Sequence, residues 1–290
     1  MRVLLSGHRG FVGRHLHAAM DARGWDVTGI DLADRHDALD FFRRNDTRYD
    51  LAMHAAAIVG GRASIDGHPL GVATNLALDT WYLRWLVRTG TPRAVYFSSS
   101  AAYPVELQQP GPVRPLVETD IDLTNPRPAD ATYGLAKWTG ENLVPYAEAE
   151  GCRIFTARPF SGYGTDQDKA YPFPAFIARA KRRDDPFEIW GDGTSTRDWI
   201  HISDLVGATL AAVDQDITGP VNLGTGRATS FDELAALVTE AAGYRPALKH
   251  LPSAPQGVHH RVADNTRMLE FYRPAITLEE GISRALEGQL

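Results

Sequence analysis

Along the first half of the chain, short continuous apolar runs alternate with stretches of helical period. Val3–Ser6 reads as a strand and Phe11–Arg23 as a helix, with Asp26–Ile30, Leu51–His54, Ala94–Ser98 and Arg153–Ala157 as further strands. Long helical patterns fall at Gly71–Arg88 and Tyr133–Glu150. Apolar runs of four to eight residues bounded by turns fit strands buried on both faces. Strands alternating with helices predict an α/β fold built on a doubly wound parallel sheet, which takes its ligand at the carboxyl ends of the strands. Past Phe160 proline and glycine become frequent, as in YGTDQDKAYPFP and WGDGTSTRDW. The expected organisation is a nucleotide-type domain over residues 1–160 plus about 200–221, which includes a returning helix at Ser203–Val213. A smaller lobe comes from about 161–199 and 222–290.

Composition narrows the class. Of 290 residues 43% are hydrophobic, which suits a globular enzyme. A net charge of −6 argues against nucleic acid as a partner, because phosphate backbones demand a basic surface. Cys152 is the single cysteine, so no internal disulfide can form and a reducing compartment is expected. The opening MRVLLSG is too short an apolar run for a leader and breaks at Gly7. No stretch reaches the roughly 20 apolar residues of a membrane helix. The expectation is a cytoplasmic protein with no membrane partner.

The first chemical signal is Gly7-His-Arg-Gly10-Phe-Val-Gly13, between a strand and a helix. Such a loop turns sharply and lets a pyrophosphate approach the backbone, and the helix N-terminus behind it directs N–H groups at the phosphates. Gly7, Arg9, Gly10, Phe11, Val12 and Gly13 are therefore candidate cofactor contacts. Asp31 ends the second strand, eighteen residues after Gly13. A carboxylate there accepts from the ribose hydroxyls of NAD and repels a 2′-phosphate. Arg9 pulls the other way, since its guanidinium could pair with that phosphate. NAD is expected, with NADP left open.

The second signal is Tyr133-Gly-Leu-Ala-Lys137, early in a helical stretch, so that phenol and ammonium share a face. A free phenol has a pKa of about 10, and a neighbouring Lys ammonium and an oxidised nicotinamide ring both favour the phenolate. Ser98-Ser99-Ser100 ends the fourth strand and offers a hydroxyl at the ligand edge of the sheet. The Tyr/Lys spacing alone recurs by chance; the serine run and the glycine loop together make chance a minor reading. His259-His260 is not taken as a metal pair, because adjacent strand residues face apart and no ligand cluster supports it. No metal is expected.

With GHRGFVG, Asp31, His54-Ala-Ala-Ala57, SSSAAYP, YGLAK, RPFSGYG, GDGTSTRDWIH and RVAD in this order, the chain resembles the extended short-chain dehydrogenase/reductases, the NAD-dependent nucleotide-sugar epimerases and dehydratases. The resemblance implies a Rossmann-like fold, a homodimer formed through two long helices per subunit, and a nucleotide-diphosphate sugar as substrate. It implies Ser99, Tyr133 and Lys137 as the catalytic set, with Ser98 second to Ser99. It places Ala55, Ala56, Ala57, Asn75, Ser98 and Pro159 near the cofactor, and Ser99, Ser100, Ser161, Arg197 and Arg261 near the substrate. A planar guanidinium binds phosphate bidentately, so Arg197 and Arg261 could clamp a diphosphate. The competing reading for each is a salt bridge, to Asp198 or Asp264.

The departures narrow the reaction. Dehydratases of the family carry an acidic residue after the catalytic hydroxyl, where this chain has Ser100 and Ala101. The loop GHRG and the segment AAIVGGRASI resemble GDP-fucose synthases, but the Cys and His that those enzymes use for epimerisation are replaced by Ala101 and Thr165-Asp166. What remains suffices for a 4-epimerase working through a transient 4-keto sugar. The alternatives are a 4-keto nucleotide-sugar reductase using NAD(P)H and, in another class, a non-catalytic cofactor-binding sensor.

Overall fold

The computed structural model describes residues 1–32, 38–60 and 62–289. In chain order come β1 (Arg2–Ser6), α1 (Phe11–Ala22), β2 (Asp26–Ile30), α2 (Ala38–Arg44), β3 (Leu51–His54), α3 (Arg62–Gly67), α4 (Pro69–Val72), α5 (Thr74–Thr89), β4 (Arg93–Phe97), α6 (Ala131–Ala149) and β5 (Arg153–Pro159). There follow β6 (Ser161–Tyr163), α7 (Pro172–Arg182), β7 (Phe187–Trp190), β8 (Thr196–Arg197), β9 (Trp199–His201), α8 (Ile202–Asp214) and β10 (Gly219–Leu223). The chain closes with β11 (Thr229–Ser230), α9 (Phe231–Ala241), β12 (Leu248–Leu251), β13 (His260–Arg261), α10 (Thr266–Leu269) and α11 (Leu278–Glu287).

The central sheet has six strands in the order β10-β5-β4-β3-β1-β2, and every pairing is parallel. The apolar runs are buried on both faces for the reason anticipated: one core packs α1 and α8 against the sheet through Leu16, Met20, Leu205 and Val206, and another packs α2, α5 and α6 through Phe42, Leu78, Trp85 and Val144. The strand order reverses at β1, flanked by β2 and β3, which opens a crevice at the carboxyl ends. A third apolar cluster gathers Phe173, Phe187, Trp199, Leu234 and Ile282 from the C-terminal elements.

Two expectations need adjustment. The helix over Gly71–Arg88 is two pieces. The first starts at Pro69, where proline's missing N–H costs nothing, and the second starts at Thr74 after a tight turn in which the Leu76 N–H bonds the Ala73 carbonyl at 3.0 Å. The last sheet strand runs to Leu223, and α10 returns beneath it with Met268 fully buried.

Candidate active site

The glycine loop leaves β1 with Gly7 at φ 78°, a left-handed conformation that glycine adopts without strain. A Cβ on Gly13 would lie 1.9 Å from the Gly7 carbonyl oxygen, so the first turn of α1 can close over the loop only with glycine there. The Asp31 carboxylate accepts from the Arg9 backbone N–H at 3.0 Å, tying the end of β2 to the loop. The loop thereby presents Gly10, Phe11, Val12 and Gly13 to a cavity of about 830 Å³. Gly7, Arg9, Asp31, Ala56 and Asn75 are not part of that wall. Asn75 is buried and its amide is spent on one backbone unit. Its oxygen accepts from the Ile58 N–H at 2.7 Å and its nitrogen donates to the Ile58 carbonyl at 2.8 Å. It shapes the segment that carries Ala55, Ala57 and Val59 into the wall.

Opposite the loop stand Ser99, Tyr133 and Lys137, with Ser98, Ser100 and Pro159 beside them. Ser99 follows β4 in extended backbone, and its Oγ accepts from the Ala101 N–H at 3.1 Å, with the Tyr133 phenol lining the same cavity. Ser98 turns instead into the protein, where its hydroxyl donates to buried Glu141, which also pairs with Arg158 at 2.5 Å. The geometry thus separates two adjacent serines that the sequence left close in rank. Tyr133 enters α6 two residues after Ala131, whose φ of 56° is unusual for a residue with a Cβ and costs about 1–3 kcal/mol. The Asp130 N–H bonds the Ala101 carbonyl at 3.1 Å, so the start of the catalytic helix is anchored to the turn that follows Ser99.

The electrostatics differ from the expectation of a phenol lowered by Lys137. Burial pushes Tyr133 up to about 12; the Ser99 hydrogen bond opposes this and the Asp79 carboxylate adds to it. The Lys137 ammonium is engaged by a carboxylate. It lies 1% exposed and donates to Asp79 at 3.3 and 3.4 Å. Asp79 also accepts from Tyr96 at 2.6 Å and from His54 Nε2 at 3.0 Å, and His54 Nδ1 meets the Ser6 hydroxyl at 2.6 Å. Burial holds His54 below its usual pKa, so the neutral ring donates from Nε2 and accepts at Nδ1. Sequence reasoning missed Asp79. The available signal was an acidic residue on the inward stripe of a helix, between Asn75 and Tyr82.

The C-terminal elements supply the rest of the wall. Arg197 donates to the carbonyls of Thr196, Val258 and His259 at 2.7–3.3 Å, and Arg261 donates to Gln108 at 2.7 Å and to Asp130 at 2.8 Å. Asp198 is buried and accepts backbone N–H groups from Thr225, Gly226 and Ala263. Ser161, Arg197 and Arg261 all line the cavity. So do Lys169 and Tyr171, unremarked in the sequence, from a loop that Asp166 fastens to Arg14 at 2.6 Å and His15 at 3.0 Å on α1. Burial raises the Tyr171 phenol well above its usual range, and the nearby Tyr133 adds to this. Among the described residues no cluster of His, Cys, Asp and Glu could hold a metal, and no helix is long and apolar enough to cross a membrane.

A parallel sheet with its glycine loop, acid and Ser/Tyr/Lys set at one crevice defines a dinucleotide-dependent enzyme. The chain belongs to the NAD dependent epimerase/dehydratase family, whose model matches residues 3–224. It is 28% identical to a GDP-L-fucose synthase of Sinorhizobium fredii, over 99% of this chain and 95% of that one. It is 28% identical to a dTDP-4-dehydro-6-deoxy-D-allose reductase of Streptomyces bikiniensis, over 92% and 89%. A UDP-glucose 4-epimerase of Thermotoga maritima, solved with UDP-glucose, superposes with a TM-score of 0.84 at 26% identity, over 99% of this chain and 98% of that one. This chain is accordingly an NAD(P)-dependent enzyme of the epimerase/dehydratase family.

Proposed function

We propose that the chain is a nucleotide-sugar 4-epimerase that works through a transient 4-keto sugar with NAD. The observation that carries this is the convergence of Ser99, Tyr133 and Lys137 on the cavity that the glycine loop also lines, with Ser100 and Ala101, both buried and neither acidic, where a dehydratase needs a carboxylate. The residues fit a dinucleotide: Gly7 and Gly13 leave no room for a Cβ in the loop, and Asp31 stands at the end of β2 for a ribose. NAD, when bound, supplies the acceptor and donor of hydride. Ser99 and Tyr133 hold the C4 oxygen by two hydrogen bonds, and Tyr133 takes its proton in one half-reaction and returns it in the other. Arg197 and Arg261 hold the diphosphate, and Ser100 and Ser161 contact the sugar or its phosphate. Lys137 and Asp31 orient the ribose hydroxyls. Residues 161–199 and 224–290, apart from α10 packed on the central sheet, serve as the substrate lobe. Exposed Leu135 and Tyr146 on α6 and Val87 on α5 fit the two-helix face of a homodimer, and the lone buried Cys152 suits the cytoplasm.

The second reading, a 4-keto nucleotide-sugar reductase, is favoured by one feature: a phenol held near 12 is a proton donor at neutral pH. The reductase from Streptomyces bikiniensis supports it from the sequence side. Mass spectrometry of the cofactor released from purified protein, followed by NMR of UDP-, dTDP- and GDP-sugars, tests both. Retained NAD with inversion at C4 supports the epimerase. Absence of any inversion, with turnover of a 4-keto sugar only when NADPH is supplied, overturns it in favour of the reductase.

A further inference from the structure

Lys137 is joined to the cofactor side of the sheet by a continuous buried chain of polar groups. Ser6, His54 and Tyr96 occupy neighbouring positions on β1, β3 and β4, for Ser6 pairs with His54 and His54 with Tyr96 in register. Each turns its side chain to the same face, where α5 brings Asp79. The carboxylate lies 1% exposed with three donors on it: Lys137, His54 and Tyr96. Tyr82 seals the far side by stacking on His54, with ring centroids 4.5 Å apart. The Lys137 ammonium also stands over the Tyr96 ring at 5.1 Å.

Two further charges approach this cluster. Glu141 is one helical turn past Lys137 on α6, and Arg158 neutralises it. Tyr133 is one turn before Lys137. Burial alone would raise Asp79; Lys137, His54 and Tyr96 outweigh it and hold the carboxyl below its usual range. At neutral pH the cluster therefore contains one ammonium and one carboxylate in contact, with a neutral imidazole and neutral phenols around them.

We propose that Asp79 is a positioning residue for the catalytic pair: it holds Lys137 as a buried counter-ion, so that the charge of Lys137 is directed at Asp79 and not at Tyr133. The inference rests on reading Tyr133 as the acid–base group. Its consequence is that Tyr133 in the cofactor-free site is a proton donor, and that a further positive charge in the crevice is needed to make it an acceptor. A carboxylate that served only packing would leave the ionisation of Tyr133 alone.

The test is an ultraviolet phenolate titration of cofactor-free Asp79→Asn beside wild type, with Tyr133→Phe in each background to isolate the transition of Tyr133. Removing the carboxylate should lower the Tyr133 midpoint by at least about one pH unit. A midpoint that does not move overturns the proposal. Lys137→Met covers the case in which Asp79→Asn does not fold: left alone, Asp79 should raise the midpoint above the wild-type value, and an unmoved midpoint again overturns it. Because the readout is spectroscopic, failure of the catalytic reading is separately visible as a Tyr133→Phe enzyme that keeps its turnover.

Discussion

Gly140 lies on α6 three residues after Lys137 and offers a test with a counterintuitive sign. Glycine to alanine inside a helix ordinarily stabilises by about 1 kcal/mol through backbone entropy. Here a Cβ would sit 1.9 Å from the Tyr96 hydroxyl oxygen, 2.7 Å from Cζ and 3.0 Å from Asp79 Oδ2. Tyr96 is fully buried between β3 and β5, so it cannot swing into solvent. Restoring an ordinary contact requires roughly 1.5 Å of movement, which the 2.6 Å bond to Asp79 does not survive. Overpacking a core costs about 1–3 kcal/mol and losing a hydrogen bond to a charged group about 1.5–3 kcal/mol. After the helix gain, Gly140→Ala should be destabilised by about 2–4 kcal/mol, a large share of a typical 5–15 kcal/mol total. Equilibrium urea unfolding would show a lower midpoint with an unchanged slope. Gly71→Ala is the control: it is exposed, its nearest neighbour is 3.8 Å away, and its stability should match or exceed wild type. A Gly140→Ala protein as stable as wild type would refute the packing argument around Asp79.

Three other outcomes are expected. Tyr133→Phe should lower turnover by about 10²–10⁴-fold while the protein still binds NAD, as checked by steady-state rates and cofactor titration. Arg261→Ala, which removes a charged group from the cavity wall, should raise KM for a nucleotide-sugar by about 10–100-fold, with a smaller effect on kcat; an unchanged KM would return Arg261 to its bridge with Asp130. Because Asp79 is held below the ordinary carboxyl value of 3.8, its contribution to stability is fully present above that pH and is lost as pH falls through the lower folded value. The stability gap between wild type and Asp79→Asn, measured by urea unfolding, should therefore narrow on acidification below 3.8, and a gap that stays constant would contradict the linkage.

Much of this protein was legible in order of residues alone. Strands buried on both faces leave unbroken apolar runs, so β1, β2, β3, β4 and β5 could be marked within a residue or two at most ends. The glycine loop is local because a turn and a helix start are set by adjacent residues, and Tyr133 and Lys137 share a face because four residues make about one turn. What tertiary structure decided lies in contacts between distant positions. Asp79 and Lys137 are 58 residues apart, Ser6 and His54 are 48, and Asp130 and Arg261 are 131. No period or spacing encodes such pairs, since they depend on which strands lie side by side and how closely two helices approach. The difference matters for chemistry: the sequence supplied the phenol and the ammonium, but burial and a carboxylate from another helix set the phenol near 12, because a charge in a low-dielectric interior answers to every neighbour within a few ångströms and not to its place along the chain.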